Sequence, residues 1–209
     1  MNKLLTGSNR DMYDATIDRM FEIIPDMMSR KIPEANVQQA FVVDTVIELH
    51  TSTFENENCF ALCVGSYDDT AYEFLDKLEY SLVAIDPSIN YSLHEYKDLT
   101  TEHFKTIFST SVIEHVEDDE EFIRDICELL DSGGVTVLTC DFNDNYKDGD
   151  SVPLSVVRQY TRYDLEVRIP SIISDYGCHV IGDVNYEGEY DFEHSGHVYT
   201  FATLVFKKE

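Results

Sequence analysis

Four short apolar runs, separated by amphipathic stretches, constrain this chain most. They are CFALCVG (59–65), SLVAID (81–86), KTIFST (105–110) and VTVLTCDF (135–142). Runs of this length with few polar positions read as strands buried on both faces. Between the first two, residues 70–79 read as a helix with Ala71, Phe74, Leu75 and Leu78 on one face. Between the last two, residues 117–130 read as an amphipathic helix with Phe122, Ile123, Ile126, Leu129 and Leu130 inward. The acids from Glu117 to Glu121 suit its positive end and read as a solvated face. SGG (132–134) reads as its stop, because glycine ends helices. Residues 161–176 read as helical, 179–186 as a strand and 197–206 as a last long strand. Strands alternating with helices predict an α/β fold with a largely parallel sheet. The last two strands are separated only by residues 187–196, too few for a crossover, so they are expected to be antiparallel.

The N-terminal part has a different texture. Met12, Ile17, Met20, Phe21, Ile24, Met27 and Met28 recur at helical spacing, broken by Pro25 and Pro33. A second series runs from Val37 through Phe41, Val42, Thr45 and Val46 to Leu49. Two helices packed on a core are expected here. A length of 209 residues fits one domain, with 1–57 as a helical cap and 58–209 as the core.

Charge narrows the partners. The net charge is −26, while 43% of residues are apolar, which excludes wholesale disorder. Clustered Lys and Arg are what nucleic acids and anionic membranes require, so both partners are disfavoured. No run of 18 apolar residues is present, and MNKLLTGSNRDMYD lacks the apolar stretch of a signal peptide. The five cysteines, Cys59, Cys63, Cys127, Cys140 and Cys178, are odd in number and form no C-x-x-C pair. Reduced thiols and a cytoplasmic location are expected, with no disulfide and no metal.

The strand ends carry the chemistry. The first run ends at Val64-Gly65-Ser66, and the second at Asp86, 21 residues after Gly65. A glycine turn followed at this distance by an acid is a nucleoside arrangement: backbone approaches the ligand and the carboxylate accepts the ribose hydroxyls. The turn GSYDDT lacks G-x-G-x-x-G and carries Asp68 and Asp69 where a pyrophosphate needs N–H groups. A nicotinamide-dependent oxidoreductase is therefore disfavoured. S-adenosylmethionine, with a sulfonium cation and no phosphate, fits better.

From these residues the chain resembles class I S-adenosylmethionine-dependent methyltransferases. ALCVGSYDDT is similar to the family's first motif VLDVGSGTG, and VAIDPS to its ribose-binding strand end. IFSTSVIEHVEDDEEFIRDICELLDSGGVTVLTCDF resembles the later motifs, where a strand, an E-H-V turn, a helix and a Gly-Gly turn precede another strand. FSTSVIEHV and CDFND look most like methyltransferases of bacterial cell-surface glycan biosynthesis. The resemblance implies a Rossmann-like, doubly wound, mostly parallel seven-stranded sheet with a C-terminal antiparallel hairpin and an N-terminal helical cap. It implies cofactor contacts from Gly65, Ser66, Asp86, Pro87, Asp98, Thr110, Ser111 and Val112. The first motif departs from the family: Cys63 replaces an acid, and Tyr67 and Asp69 replace glycines.

The implied reaction is methyl transfer to a small-molecule or sugar-like acceptor, with S-adenosylhomocysteine as product. The alternative is a non-catalytic module that only binds these ligands. Acceptor contacts are expected from about 141–160 and 186–197. A hydroxyl acceptor calls for a base, and His197, His115 and Glu114 are the catalytic candidates, with Asp141 beside them. His194-x-x-His197 lacks a third ligand, and Ser109-Thr110-Ser111 offers no carboxylate where metal-dependent relatives carry one, so no metal is expected.

Overall fold

The computed structural model describes residues 1–53 and 60–209. Cys59 and the expected boundary at 57/58 lie outside the described residues. The strands are β1 (Asn2–Lys3), β2 (Ala61–Val64), β3 (Leu82–Ile85), β4 (Phe104–Thr110), β5 (Leu130–Phe142), β6 (Cys178–Val180), β7 (Val184–Asn185), β8 (Phe192–His194) and β9 (His197–Lys208). The helices are α1 (Gly7–Arg10), α2 (Asp14–Ile23), α3 (Pro25–Met28), α4 (Asn36–Glu48), α5 (Thr70–Lys77), α6 (Leu93–Leu99), α7 (Asp119–Leu129) and α8 (Ile169–Ser174).

The main sheet is mixed and has seven strands, in the order β3-β2-β4-β5-β9-β6 with β8 beside β9. β2 pairs in parallel with both β3 and β4, and β4 pairs in parallel with β5. β9 runs antiparallel to β5 on one side and β6 on the other. The chain leaves β2 toward β3 and then crosses to β4, so strand order reverses at the carboxyl ends of β2 and β4. Ligands bind at such a reversal in open α/β sheets.

Alternation along β2 explains the layers. Leu62 and Val64 join a core with α6, α7 and α8. Ala61 and Cys63 join a second core with α2, α3, α4 and α5 on the opposite face. Successive strand side chains point to opposite faces, and both faces here are covered, which is why the run is continuously apolar.

Several expectations change. Met12 is 69% exposed and Phe21 41% exposed. Met12 sits in a 3-10 turn (Asp11–Tyr13), whose tighter winding turns Tyr13 inward instead. Pro25 starts α3 rather than merely ending α2, since proline suits the first helical turn. SGG does not stop α7. The chain passes directly from Leu129 into β5, and Gly133 and Gly134 form a bulge against Phe104. A Cβ on Gly134 would lie 2.8 Å from the Phe104 carbonyl oxygen. The strand expected over 179–186 breaks at Gly182, which has φ +78°. Its second half, β7, leaves the main sheet and pairs with β1. Residues 187–196 are not all loop, because β8 forms a hairpin with β9 through Ser195 and Gly196, both at positive φ. The start of α7 is not simply solvated: Asp119 is 7% exposed. No helix among the described residues is long and apolar enough to cross a membrane.

Candidate functional site

A cavity of about 750 Å³ opens at the strand-order reversal. Gly65, Asp86, Pro87, Thr110, Ser111, Val112 and His115 line it. Gly65 has φ +83°, and a Cβ there would lie 2.3 Å from Val112 Cγ2. Only glycine lets the β2 turn and the Val112 wall approach this closely. Its N–H donates to the Ile85 carbonyl at 2.9 Å, tying the two strand ends together.

Asp86 stands at the end of β3. Its Oδ2 accepts from the Tyr67 N–H at 3.2 Å and its Oδ1 from the Ser88 N–H at 2.7 Å. These contacts aim the carboxylate into the cavity between the two turns, with acceptor capacity left over. The acids of GSYDDT have separate roles. Asp69 caps α5 by accepting from the Tyr72 N–H at 2.6 Å. Burial pushes its carboxyl up, partly offset by that hydrogen bond. Asp68, at φ +57°, pairs with Arg30 at 2.9 Å and Lys31 at 3.3 Å, which neutralises it.

Some expected residues are elsewhere. Ser66 is buried but lines the adjoining hollow beneath α3. Asp98 does not reach the cavity: it lies on the outer face of α6, 63% exposed in its side chain, beside Lys97 at 3.4 Å. His197 opens β9 and is paired in register with His194, outside the cavity lining. The Ser195-Gly196 turn causes this, by folding 192–194 back onto β9. Glu114 is 1% exposed and stands behind Ser111, whose hydroxyl donates to its Oε1 at 2.6 Å.

His115 lines the cavity, and its Nδ1 donates to the Ser155 carbonyl at 2.7 Å. A carbonyl only accepts, so in the neutral ring Nε2 keeps a lone pair. The Val157 N–H donates to the Glu114 carbonyl at 2.8 Å, so the segment after β5 lies against this turn.

Several site residues carried no readable signal. Lys31 and Gln39 reach the cavity from the cap, and His94 and Asp125 from α6 and α7. His94 Nδ1 lies 2.9 Å from Asp125 Oδ2, and that hydrogen bond raises the imidazole. Asp141 pairs with Glu114. Burial pushes both carboxyls up, and the Glu114 charge pushes Asp141 further.

S-adenosylmethionine fits these residues. Gly65 permits close backbone approach, Asp86 offers acceptors for a ribose diol, and Val112 and Phe122 supply apolar wall. Gln39 lines the cavity, and its buried Oε1 has no hydrogen-bond partner, so it could accept from a ligand's ammonium. Lys31 is the only Lys or Arg among the described residues that line the cavity. A ligand carboxylate in this cavity would face Asp68, Asp69 and Asp86, and Lys31 would be its counter-charge. Lys31→Ala should weaken S-adenosylhomocysteine about tenfold, the scale of one charge-assisted contact, and spare methylthioadenosine, which lacks the amino-acid group. Calorimetric titration of both ligands checks this.

Two pairs of carboxyl groups of opposite behaviour set the pH dependence of stability. Glu114 and Asp141 hold their protons more tightly folded than unfolded, so their support is complete at low pH and is lost as pH rises through their raised values. Burial also raises Asp119 and Asp164, but hydrogen bonds and the Arg168 charge more than offset it, leaving both lowered. Their support is present above the ordinary carboxylate value near about 4 and is lost as pH falls below it. Melting temperature should therefore peak between the two windows. In Asp141→Asn the alkaline decline should be shallower, which scanning calorimetry across pH would show.

No family model matches the sequence, and no curated protein matches it. Solved structures do match in shape. A putative sarcosine dimethylglycine methyltransferase from Galdieria sulphuraria aligns with TM-score 0.57 at 12% identity, covering 81% of this chain and 86% of that one. Magnesium protoporphyrin IX methyltransferase from Synechocystis, solved with bound S-adenosylhomocysteine, aligns with TM-score 0.52 at 13% identity, covering 93% and 100%. A DszA carbon methyltransferase aligns with TM-score 0.54 at 10% identity, covering 81% and 53%. At these identities the likeness concerns architecture, and the chain has the fold of class I S-adenosylmethionine-dependent methyltransferases.

Proposed function

We propose that this protein is an S-adenosylmethionine-dependent methyltransferase acting on a small, sugar-like acceptor. The observation that carries the reading is the convergence of the Gly65 turn and the Asp86 carboxylate on one cavity, at the reversal of strand order. The bound sulfonium would supply an activated methyl group. The chain's own residues then have modest tasks. Asp86 holds the ribose, Lys31 the carboxylate, and Val112 and Phe122 exclude water. Orientation of the acceptor provides most of the rate, as in displacements with a good leaving group. His115, with a free Nε2 on the cavity, is better placed than His197 to take a proton from the acceptor. Tyr190, whose hydroxyl accepts from the Asp144 N–H at 3.1 Å, ties the two expected acceptor segments together.

The altered first motif favours the second reading, a module that binds without turnover. Tyr67 and Asp69 replace glycines, and Asp69 is committed to capping α5. Titration separates the readings. S-adenosylhomocysteine is expected to release heat and raise the melting temperature. Asp86→Ala should weaken it about ten- to a hundredfold while the fold survives, the loss of charge-assisted hydrogen bonds. Heat with NAD and none with S-adenosylhomocysteine would overturn the proposal. Binding without methyl transfer to any sugar-like acceptor would favour the module.

A further inference from the structure

Resting on the methyltransferase reading above, we infer that the N-terminal helical cap, and not the turn after β2, recognises the amino-acid end of the cofactor. Gln39 takes its ammonium and Lys31 its carboxylate.

The cap meets the sheet at both strand ends that frame the cavity. At the β2 end, Arg30 and Lys31 hold the two oxygens of Asp68, at 2.9 and 3.3 Å. At the β4 end, Gln38 donates from Nε2 to the Ser111 hydroxyl at 3.2 Å, which docks the first turn of α4. Lys31 is itself wound onto α3, its N–H donating to the Met28 carbonyl at 3.1 Å. The cap therefore bridges the two turns between which a ligand must lie. Among the described residues, Lys31 and Gln39 are the two from the cap that line the cavity.

The turn after β2 has little left to offer an amino acid. Cys63 is buried, and burial pushes its thiol up, so it stays neutral. Asp69 is buried and committed to capping α5. Asp68 is shared by two cations. The two cap residues keep capacity. Gln39 Oε1 is buried and has no hydrogen-bond partner. An unfilled buried acceptor is costly, and a donor brought by a ligand removes that cost. Lys31 has three N–H donors, of which the ion pair with Asp68 engages one.

An unfilled acceptor and a cation on one wall suit a zwitterion. The adenosine part has its own partners in the Asp86 carboxylate and the apolar Val112 and Phe122. A bare methylthio tail leaves Gln39 and Lys31 unfilled. A phosphate tail would satisfy Lys31, but it brings no donor to Gln39 and would face Asp68, Asp69 and Asp86 with one counter-charge. An α-amino acid fills both: its ammonium donates to Gln39 Oε1, and its carboxylate accepts from Lys31. Binding of that end then also holds residues 30–39 against the sheet.

The test titrates the whole protein with four adenosyl thioethers: S-adenosylhomocysteine, its deaminated analogue, its decarboxylated analogue and methylthioadenosine. Removing the amine should cost the wild-type protein about tenfold, the scale of one hydrogen bond to a charged group. Gln39→Leu should weaken S-adenosylhomocysteine and the decarboxylated analogue about tenfold, and leave the deaminated analogue and methylthioadenosine within about twofold. Gln39→Glu keeps an acceptor and should restore the preference for the aminated ligands. Equal weakening of all four ligands in Gln39→Leu overturns the inference, because a packing defect does not depend on the amine. Unchanged affinity for S-adenosylhomocysteine overturns it too. If Gln39→Leu does not fold, hydrogen exchange on the wild-type protein decides. Amides of residues 30–39 should be protected by S-adenosylhomocysteine and not by methylthioadenosine, and equal protection by the two overturns the inference. Failure of the wild-type protein to bind either S-adenosylhomocysteine or methylthioadenosine would instead strike the methyltransferase reading.

Discussion

Gly65→Ala is expected to remove measurable binding of S-adenosylhomocysteine, a loss of at least about a hundredfold. The added Cβ has no room. It would lie 2.3 Å from Cγ2 of Val112 and 3.2 Å from Cγ1, so the valine must rotate or retreat. Val112 lines the cavity, and the rest of the Ser111–Val112 turn is held in place: the Ser111 N–H donates to the Thr139 hydroxyl and carbonyl, and its own hydroxyl to Glu114. Displacement is therefore directed into the ligand's space. Alanine at φ +83° also adds about 1 kcal/mol of backbone strain, which should lower the melting temperature by only a few degrees. The diagnostic result is a folded protein that no longer releases heat with the ligand. A Gly65→Ala protein that bound normally would show that the turn does not face the cofactor.

Arg168→Ala is expected to cost about 3 kcal/mol and roughly 10 °C in melting temperature. Arg168 bonds both oxygens of Asp119, at 3.0 and 2.6 Å, and Asp164 at 2.6 Å. Arg158 adds longer contacts to the same two acids, and the Tyr160 hydroxyl donates to Asp119 at 2.9 Å. Asp119 and Asp164 are nearly buried, so losing Arg168 leaves charge with too little compensation. Arg168→Lys should recover little, because an ammonium cannot make the paired contacts. The exposed Lys77–Glu73 pair, at 3.3 Å, provides the contrast: Lys77→Ala should change stability by less than about 0.5 kcal/mol. Equal effects of the two substitutions in thermal unfolding would remove the network from the account of stability. The same network holds the segment after β5 against the start of α7, so Arg168→Ala should also loosen the wall that carries Ser155 and His115.

Much of the architecture was legible because it depends on local pattern. Uniform apolar runs mark strands covered on both faces, and that pattern located β2 to β5 and β9. Gly65 and Asp86 were legible for the same reason: a strand ending in glycine and another ending in an acid must present those residues at the same sheet edge once the strands are parallel. Breaks governed by single backbone angles were not legible. Gly182 at φ +78° sends β7 to a second sheet, and Ser195 at φ +53° closes a hairpin that a reading of loop composition misses. That hairpin moved His197 away from the cavity lining, and the capped start of α6 left Asp98 facing Lys97 and His94 instead of a ligand.

The sequence by itself determined the alternation of strands and helices and the two strand-end turns that meet at one cavity, because these follow from burial periodicity and from glycine and acid placement along the chain. Only the tertiary structure decided which charges meet. Lys31 and Gln39 reach the cavity because α4 and the turn before it pack across Asp68 and Ser111, many residues away in sequence. Glu114 finds Asp141 because β4 and β5 lie side by side, which sets the ends of two strands next to each other. A carboxyl's neighbours and burial, not its place in the chain, fix whether it caps a helix, holds a proton or faces a ligand. Those neighbours come from long-range packing, which sequence periodicity does not encode.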